Sequence, residues 1–151
     1  GIRSRSCSSL GVSRAVLIAT RYSIVRLQGG DEGGKGECSV LDHLQQLRLL
    51  MPVTATAYAL HFVGEEMNRV YGMLEGMLRR DPKALTSKDG LEFLAEVHAA
   101  TAGLKAVVAA ASANGIETCR KLCGGHGYSA LSGLPTMAVD YLSAVTLEGT
   151  E

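Results

Sequence analysis

Apolar residues along this chain recur at helical spacing in three long stretches, and nowhere do apolar and polar positions alternate as they do in a strand. The first stretch runs from about Ser4 to Gln28. There Leu10, Leu17 and Ile24 stand seven residues apart, with Val16 and Leu27 nearby, which predicts one face of a helix. Gly29 and Gly30 supply a stop. The second stretch runs from about Val40 to Arg80. Leu60, Val63, Met67, Val70, Leu74 and Met77 step by three and four, so this helix buries a stripe. Ser39 is placed to cap it, Asp42 favours its positive end, and Asp81-Pro82 ends it. Pro52 lies inside the pattern and predicts a kink or a break. The third stretch runs from about Ser87 to Leu122, with Leu94, Val97, Thr101, Leu104, Val108 and Ala111 on its stripe. It is rich in Ala between residues 95 and 113, and Gly103 within it predicts close approach of a neighbouring helix. Cys123-Gly124-Gly125 closes it.

Between the first two stretches, residues 29–39 hold five Gly with Asp, Glu and Lys, and read as a flexible loop that contributes nothing to a core. A second loop, Gly124 to Pro135, leads to a short segment from Met137 to Leu147 whose pattern is ambiguous but compatible with a helix. The fold class expected is all-α: an antiparallel bundle of three long helices plus a short one, in a single domain over residues 1–151.

Composition narrows the picture. At 151 residues, 46% hydrophobic and 20% charged, the chain suits a globular domain and neither a disordered nor a fibrous one. Lys+Arg and Asp+Glu are 15 each, so no global charge draws it to nucleic acid or anionic lipid. Trp is absent and aromatics are 5%, which leaves the core to Ala, Leu, Val and Met. No uninterrupted apolar run reaches the ~18 residues needed to span a bilayer. Four scattered cysteines do not make a disulfide scaffold. Up to Gly30 the chain carries five Arg, several Ser and no acid, a composition shared by organelle transit peptides and by amphipathic helices with solvated Arg; the helix is the preferred reading. The first residue is Gly, and the last lies in a stretch without a helix stop, so the expectation is a piece of a longer protein.

Candidate chemistry gathers at few places. Cys123-Gly124-Gly125-His126-Gly127-Tyr128 puts three Gly in four residues at the end of a long helix. Such a turn either cradles a phosphate with backbone N–H groups or merely caps the helix, and a cap needs only one or two of the Gly. No Lys-Ser/Thr pair follows and no strand precedes, which excludes a Walker loop and a dinucleotide fingerprint. Cys119, Cys123 and His126 lack a fourth nearby ligand and a zinc spacing, so buried packing is preferred and no metal site is assigned. Arg26 and Gln28, at the end of the first helix, could donate to a phosphate or a ring edge, but on the residues alone ordinary solvated charge is the preferred reading. Glu148, beside Gly149 in a segment without Lys or Arg after Lys121, is a carboxylate whose pKa such surroundings would raise towards that of a base.

Taken in order, these strings resemble the acyl-CoA oxidase family over nearly the whole chain. The resemblance rests on Arg21-Tyr22-Ser23, Val25-Arg26 and Gln28, on Val40-Leu41-Asp42 with Gln45-Gln46, and on Ala57-Tyr58-Ala59. It continues through His98 with Thr101-Ala102-Gly103-Leu104-Lys105 and through Glu117 with Cys119 to Tyr128, and ends on Ser132-Gly133-Leu134-Pro135 and Leu147-Glu148-Gly149. It implies a fold like the C-terminal helical domain of acyl-CoA dehydrogenases. It also implies a peroxisomal, dimeric FAD enzyme of fatty-acid β-oxidation, which converts acyl-CoA to trans-2-enoyl-CoA and reduces O2 to hydrogen peroxide. In that resemblance Glu148 matches the base that takes the α proton as hydride leaves the β carbon for the flavin. Arg26 matches an arginine on the FAD pyrophosphate of the neighbouring subunit, with Gln28 close by in the same string. Gly124 and Gly125 match a loop against FAD across the dimer, and Thr150 a position beside the flavin. Two positions depart from the family: Gly29 and His43 stand where aromatic residues are usual. The alternatives are a non-catalytic helical scaffold or dimerisation module, and an acyl-CoA dehydrogenase.

Overall fold

Ser87 accepts a hydrogen bond from the Gly90 N–H and starts the third long helix, while Cys123, whose N–H bonds back to Arg120 and Lys121, ends it. Caps of this kind delimit the elements of the computed structural model, which describes residues 2–30 and 36–146. The elements are α1 (Ile2–Val25), a ribbon of β1 (Leu27–Gly30) and β2 (Glu37–Ser39), then α2 (Leu44–Arg80), α3 (Lys88–Leu122) and α4 (Leu134–Thr146). Short 3-10 turns occupy Val40–Asp42, Ala84–Thr86, Gly124–Tyr128 and Ala130–Ser132.

Contacts fix the helix directions. Val12 of α1 and Val53 of α2 both lie against Gly115 of α3, while Ser23 of α1 and Leu122 of α3 both meet Gln46 of α2. Hence α1 and α3 run the same way and α2 runs between them in the opposite sense. Gly11 faces the Tyr141 ring, and Lys105 donates to the Val145 carbonyl, so α4 returns against α3. The result is the expected all-α antiparallel bundle.

The core takes Val12, Ala15 and Ala19 from α1, Leu50, Ala57 and Leu60 from α2, Val108, Ile116 and Cys119 from α3, and Leu134 from α4. The α2 stripe is as predicted, with Leu60, Met67 and Leu74 buried. On α1 the stripe of Leu10, Leu17 and Ile24 is about half exposed, and the buried face is the small-residue one. Small side chains let α2 and α3 come close; the larger ones cover the outside.

Four further expectations are corrected. First, of the kink or break expected at Pro52, a break does not occur: the chain stays helical, the carbonyl that loses its N–H partner is that of exposed Arg48, and the buried stripe of Gln46, Leu50 and Ala57 continues across the site. Second, Gly103 is exposed and a Cβ there would meet nothing within 4 Å; close packing occurs at Gly115, where a Cβ would lie 3.3 Å from Val53. Third, part of the glycine-rich segment pairs as the antiparallel ribbon, Leu27 opposite Ser39 and Gly30 opposite Glu37. Fourth, Ser39 caps the short turn at Leu41, so α2 begins four residues later than predicted, after His43. One stretch of α3 is also long and apolar enough to cross a membrane by length and composition. That character comes from alanine, and the same helix supplies Val108, Ala109, Ile116 and Cys119 to the buried core.

Candidate functional site

Three helix ends meet at one end of the bundle: the C-terminus of α1, the N-terminus of α2 and the C-terminus of α3. Each carries residues singled out by the sequence.

The end of α1 is tied down on its backbone and free on its side chains. The Arg26 N–H bonds to the Tyr22 carbonyl at 2.9 Å, and the Val40 N–H bonds to the Arg26 carbonyl at 2.9 Å. Ser39 Oγ reaches back to the Ser23 and Ile24 carbonyls at 2.7 and 3.2 Å. The Arg26 and Gln28 side chains are exposed, and among the described residues neither has a hydrogen bond or ion pair. A guanidinium and an amide thus stand ready for a ligand on a fixed backbone. His43, just ahead of α2, holds the same strand: its Nε2 lies 2.9 Å from the Gln28 carbonyl oxygen and donates to it. Cys38 Sγ lies 3.6 Å from the same nitrogen.

The glycine turn sits beside this end. The rings of Tyr22 and His126 are 5.4 Å apart, and Tyr22 Oη lies 3.9 Å from where a Gly124 Cβ would stand. Its three glycines have three different environments. Gly124 has φ +54°, left-handed backbone that disfavours a side chain. Gly127 is buried against the Arg120 carbonyl, which a Cβ would strike. Gly125 is exposed, has no left-handed φ, and a Cβ on it would meet nothing within 4 Å. The fold therefore requires two of the three glycines, and Gly125 is left with an open backbone face.

Arg120 is committed elsewhere. Its guanidinium makes two bonds of 2.7 Å to Glu117 and lies 4.4 Å over the Tyr128 ring. The Arg120 hydrogen bonds hold the Glu117 carboxyl below its ordinary range. This group fastens the far end of the glycine turn to α3. Beyond it, an apolar groove of about 380 Å³ between α3 and α4 contains none of the predicted site residues.

Cys119 and Cys123 pack in the core, and burial, with Cys123 as a lesser cause, pushes the Cys119 thiol up to about 12. Among the described residues no three His, Cys, Asp or Glu side chains gather as a metal site would need. The structure thus places Arg26 and Gln28 after α1 and Gly124 and Gly125 after α3, at ends that Tyr22 joins. Glu148, Gly149 and Thr150 lie outside the described residues.

Two residues of the quoted motifs have roles that the sequence did not give: Tyr22 as the contact between α1 and the turn, and Gln46. Gln46 is only 8% exposed, and its Nε2 donates to Ser23 Oγ at 2.7 Å and to the Leu122 carbonyl at 3.1 Å. The available signal was a polar residue in step with an apolar stripe, Gln46 to Leu50 to Ala57.

Residues 3–151 match the family model for the acyl-CoA oxidase C-alpha1 domain. The chain is 46% identical over 142 residues to peroxisomal acyl-coenzyme A oxidase 1 of Arabidopsis thaliana, covering 94% of this chain and 20% of that protein. Among solved structures, an acyl-CoA oxidase from Lycopersicon esculentum (tomato) superposes with a TM-score of 0.82 at 46% identity, over 96% of this chain and 21% of that one. Acyl-CoA oxidase-2 of Caenorhabditis elegans, bound with FAD, ascaroside-CoA and ATP, gives 0.84 at 36% identity, over 98% of this chain and 22% of that one. The chain therefore spans about a fifth of the length of the relatives it matches.

Proposed function

The chain belongs to the acyl-CoA oxidase family, and from that premise we propose that it is the helical C-alpha1 segment, a single domain over residues 1–151, of a peroxisomal FAD-dependent oxidase. The proposed reaction is acyl-CoA + O2 → trans-2-enoyl-CoA + H2O2, the first oxidation of fatty-acid β-oxidation.

In this reading the three helix ends form a face for FAD held by the neighbouring subunit of a homodimer. Arg26 would donate to the pyrophosphate, Gln28 would add an amide donor, and the open backbone at Gly124 and Gly125 would face the cofactor. The flavin, when bound, supplies the two-electron acceptor. This chain's chemical share is Glu148, which takes the α proton of the thioester, with Thr150 nearby.

One observation carries the proposal: Gly125. It is exposed and uncrowded and has no left-handed φ, so nothing in the fold blocks a cofactor that approaches its backbone from outside. It lies on a turn joined through Tyr22 to the end of α1 that carries Arg26, which has no ion pair among the described residues. The chemistry also fits: an anionic diphosphate matches a free guanidinium and an amide donor.

The test is Arg26→Ala in a full-length acyl-CoA oxidase carrying this segment. A charge-assisted contact to phosphate is worth about 1.5–3 kcal/mol, so FAD should dissociate tenfold or more readily. Flavin content after gel filtration reads this directly, and unchanged content would return Arg26 to an ordinary surface charge.

A further inference from the structure

We infer that Gln46 is a positioning residue for FAD: it locks the α1 end that carries Arg26 to the α3 end that carries Gly124 and Gly125. The inference rests on the cofactor face proposed above and adds the part that sets its geometry.

Both donors of the Gln46 amide are used, one on each side of the face. On one side it meets Ser23 Oγ, three residues before Arg26; that hydroxyl spends its own proton on the Ala19 carbonyl at 2.7 Å and so accepts from Gln46. On the other side it meets the Leu122 carbonyl, in the last turn of α3, two residues before Gly124. The orientation of the amide is fixed, because a carbonyl only accepts and the NH2 group must face it. Ser23 is fully buried and Gln46 nearly so, hence water cannot stand in for either partner.

An apolar side chain of the same length would fill the space as well. A fold that needed only volume at this point would not need an amide. What the amide adds is registry: neither helix end can slide along α2 without breaking a buried bond. The face needs that registry, because Arg26 and Gly125 follow the ends of different helices and must meet one cofactor together.

The experiment uses a full-length acyl-CoA oxidase carrying this segment, with FAD affinity of the apoenzyme measured by quenching of flavin fluorescence. Gln46→Met keeps the length and removes both donors. FAD should bind about tenfold more weakly, while kcat at saturating FAD stays within about twofold. In the double variant with Arg26→Ala the two losses should fall well short of additive, because Gln46 acts through the placement of the same contact. A purely structural Gln46 would lower the melting temperature and leave FAD affinity unchanged, and that result overturns the inference. Weaker binding in Arg26→Ala alone, with Gln46→Met at wild-type affinity, also overturns it but leaves the cofactor face standing. Unchanged affinity in both variants overturns the face as well. Should Gln46→Met fail to fold, Ser23→Ala breaks one bond of the lock and keeps the other; a several-fold loss of FAD affinity supports the inference, and wild-type affinity overturns it.

Discussion

Three alanine substitutions in one turn separate what the fold needs from what a ligand needs. Gly127→Ala drives a methyl group into the Arg120 carbonyl, a backbone atom that cannot turn aside. Overpacking of this kind costs about 1–3 kcal/mol. Gly124→Ala forces a side chain into left-handed backbone at φ +54°, for roughly 1–2 kcal/mol. Gly125→Ala meets nothing within 4 Å and no left-handed φ, so stability should be unchanged or raised by up to about 1 kcal/mol through a stiffer unfolded chain. Urea midpoints of the 151-residue chain give this ranking. For cofactor binding Gly125 stands apart. In a full-length oxidase carrying this segment, a methyl group between the Gly125 backbone and the cofactor should weaken FAD about tenfold with no loss of stability, a combination not expected of Gly127→Ala. Destabilisation by Gly125→Ala comparable to that by Gly127→Ala would refute the steric reading. Wild-type FAD affinity in Gly125→Ala would refute the cofactor reading.

Glu148→Gln in the same full-length enzyme should keep its flavin yet lose at least about 10²-fold in the rate at which acyl-CoA bleaches it, seen by stopped-flow absorbance; near-normal bleaching would move the base elsewhere. Thiol labelling followed by mass spectrometry should find Cys38 modified before Cys119 and Cys123, which react only on unfolding, since burial raises the Cys119 thiol to about 12 in the fold. Because the unfolded thiol ionises from about its ordinary value of 9.0, the contribution of Cys119 is complete below that pH and is lost as pH rises towards 12. Glu117→Gln should cost about 0.5–1 kcal/mol at neutral pH, discounted for a carboxylate that is more than one-third exposed. The Glu117 pKa is lowered in the fold, so its contribution is present above 4.5 and fades as pH falls through the folded value; denaturation curves of wild type and variant should converge in acid.

The sequence was most legible where one helix face is wet and the other dry. The α2 stripe from Leu60 to Leu74 and the Ser87 cap are of this kind, because apolar spacing and a hydroxyl before a helix each have one local cause. Legibility failed where the cause lies on another element. On α1 the buried face is small because α2 and α3 press close, so counting large apolar residues selected the outer face of Leu10, Leu17 and Ile24. The ribbon strand Leu27–Gly30 is exposed on both sides and had no reason to alternate. Gly103 and Gly115 look alike in sequence, and only the position of Val53 and Val12 tells them apart. The glycine turn was recognised as a site, but which of its glycines is free of the fold depended on Arg120, seven residues before Gly127, curling back beneath it. The lock at Gln46 is non-local in the same way, since its partners stand 23 and 76 residues away.

Gly29 and His43, the two positions read from the sequence as departing from the resembled family, meet in the fold. Gly29 has φ +81°, and a Cβ on it would lie 3.2 Å from Cε1 of His43. A bulky residue at position 29 is thus excluded twice, by the backbone and by the imidazole. The same imidazole donates to the Gln28 carbonyl, so it does by a hydrogen bond what a larger pair would do by packing: it fixes the strand that follows Arg26. An aromatic hydrocarbon at 43 has no donor for that carbonyl, and glycine at 29 has no side chain to press on the ring. Without the His43 bond the strand keeps the Val40 N–H on the Arg26 carbonyl, the Arg26 N–H on the Tyr22 carbonyl and its pairing with β2. The order of the Arg26–Gln28 backbone thus draws on His43 together with β2, as the order of the glycine turn draws on Arg120.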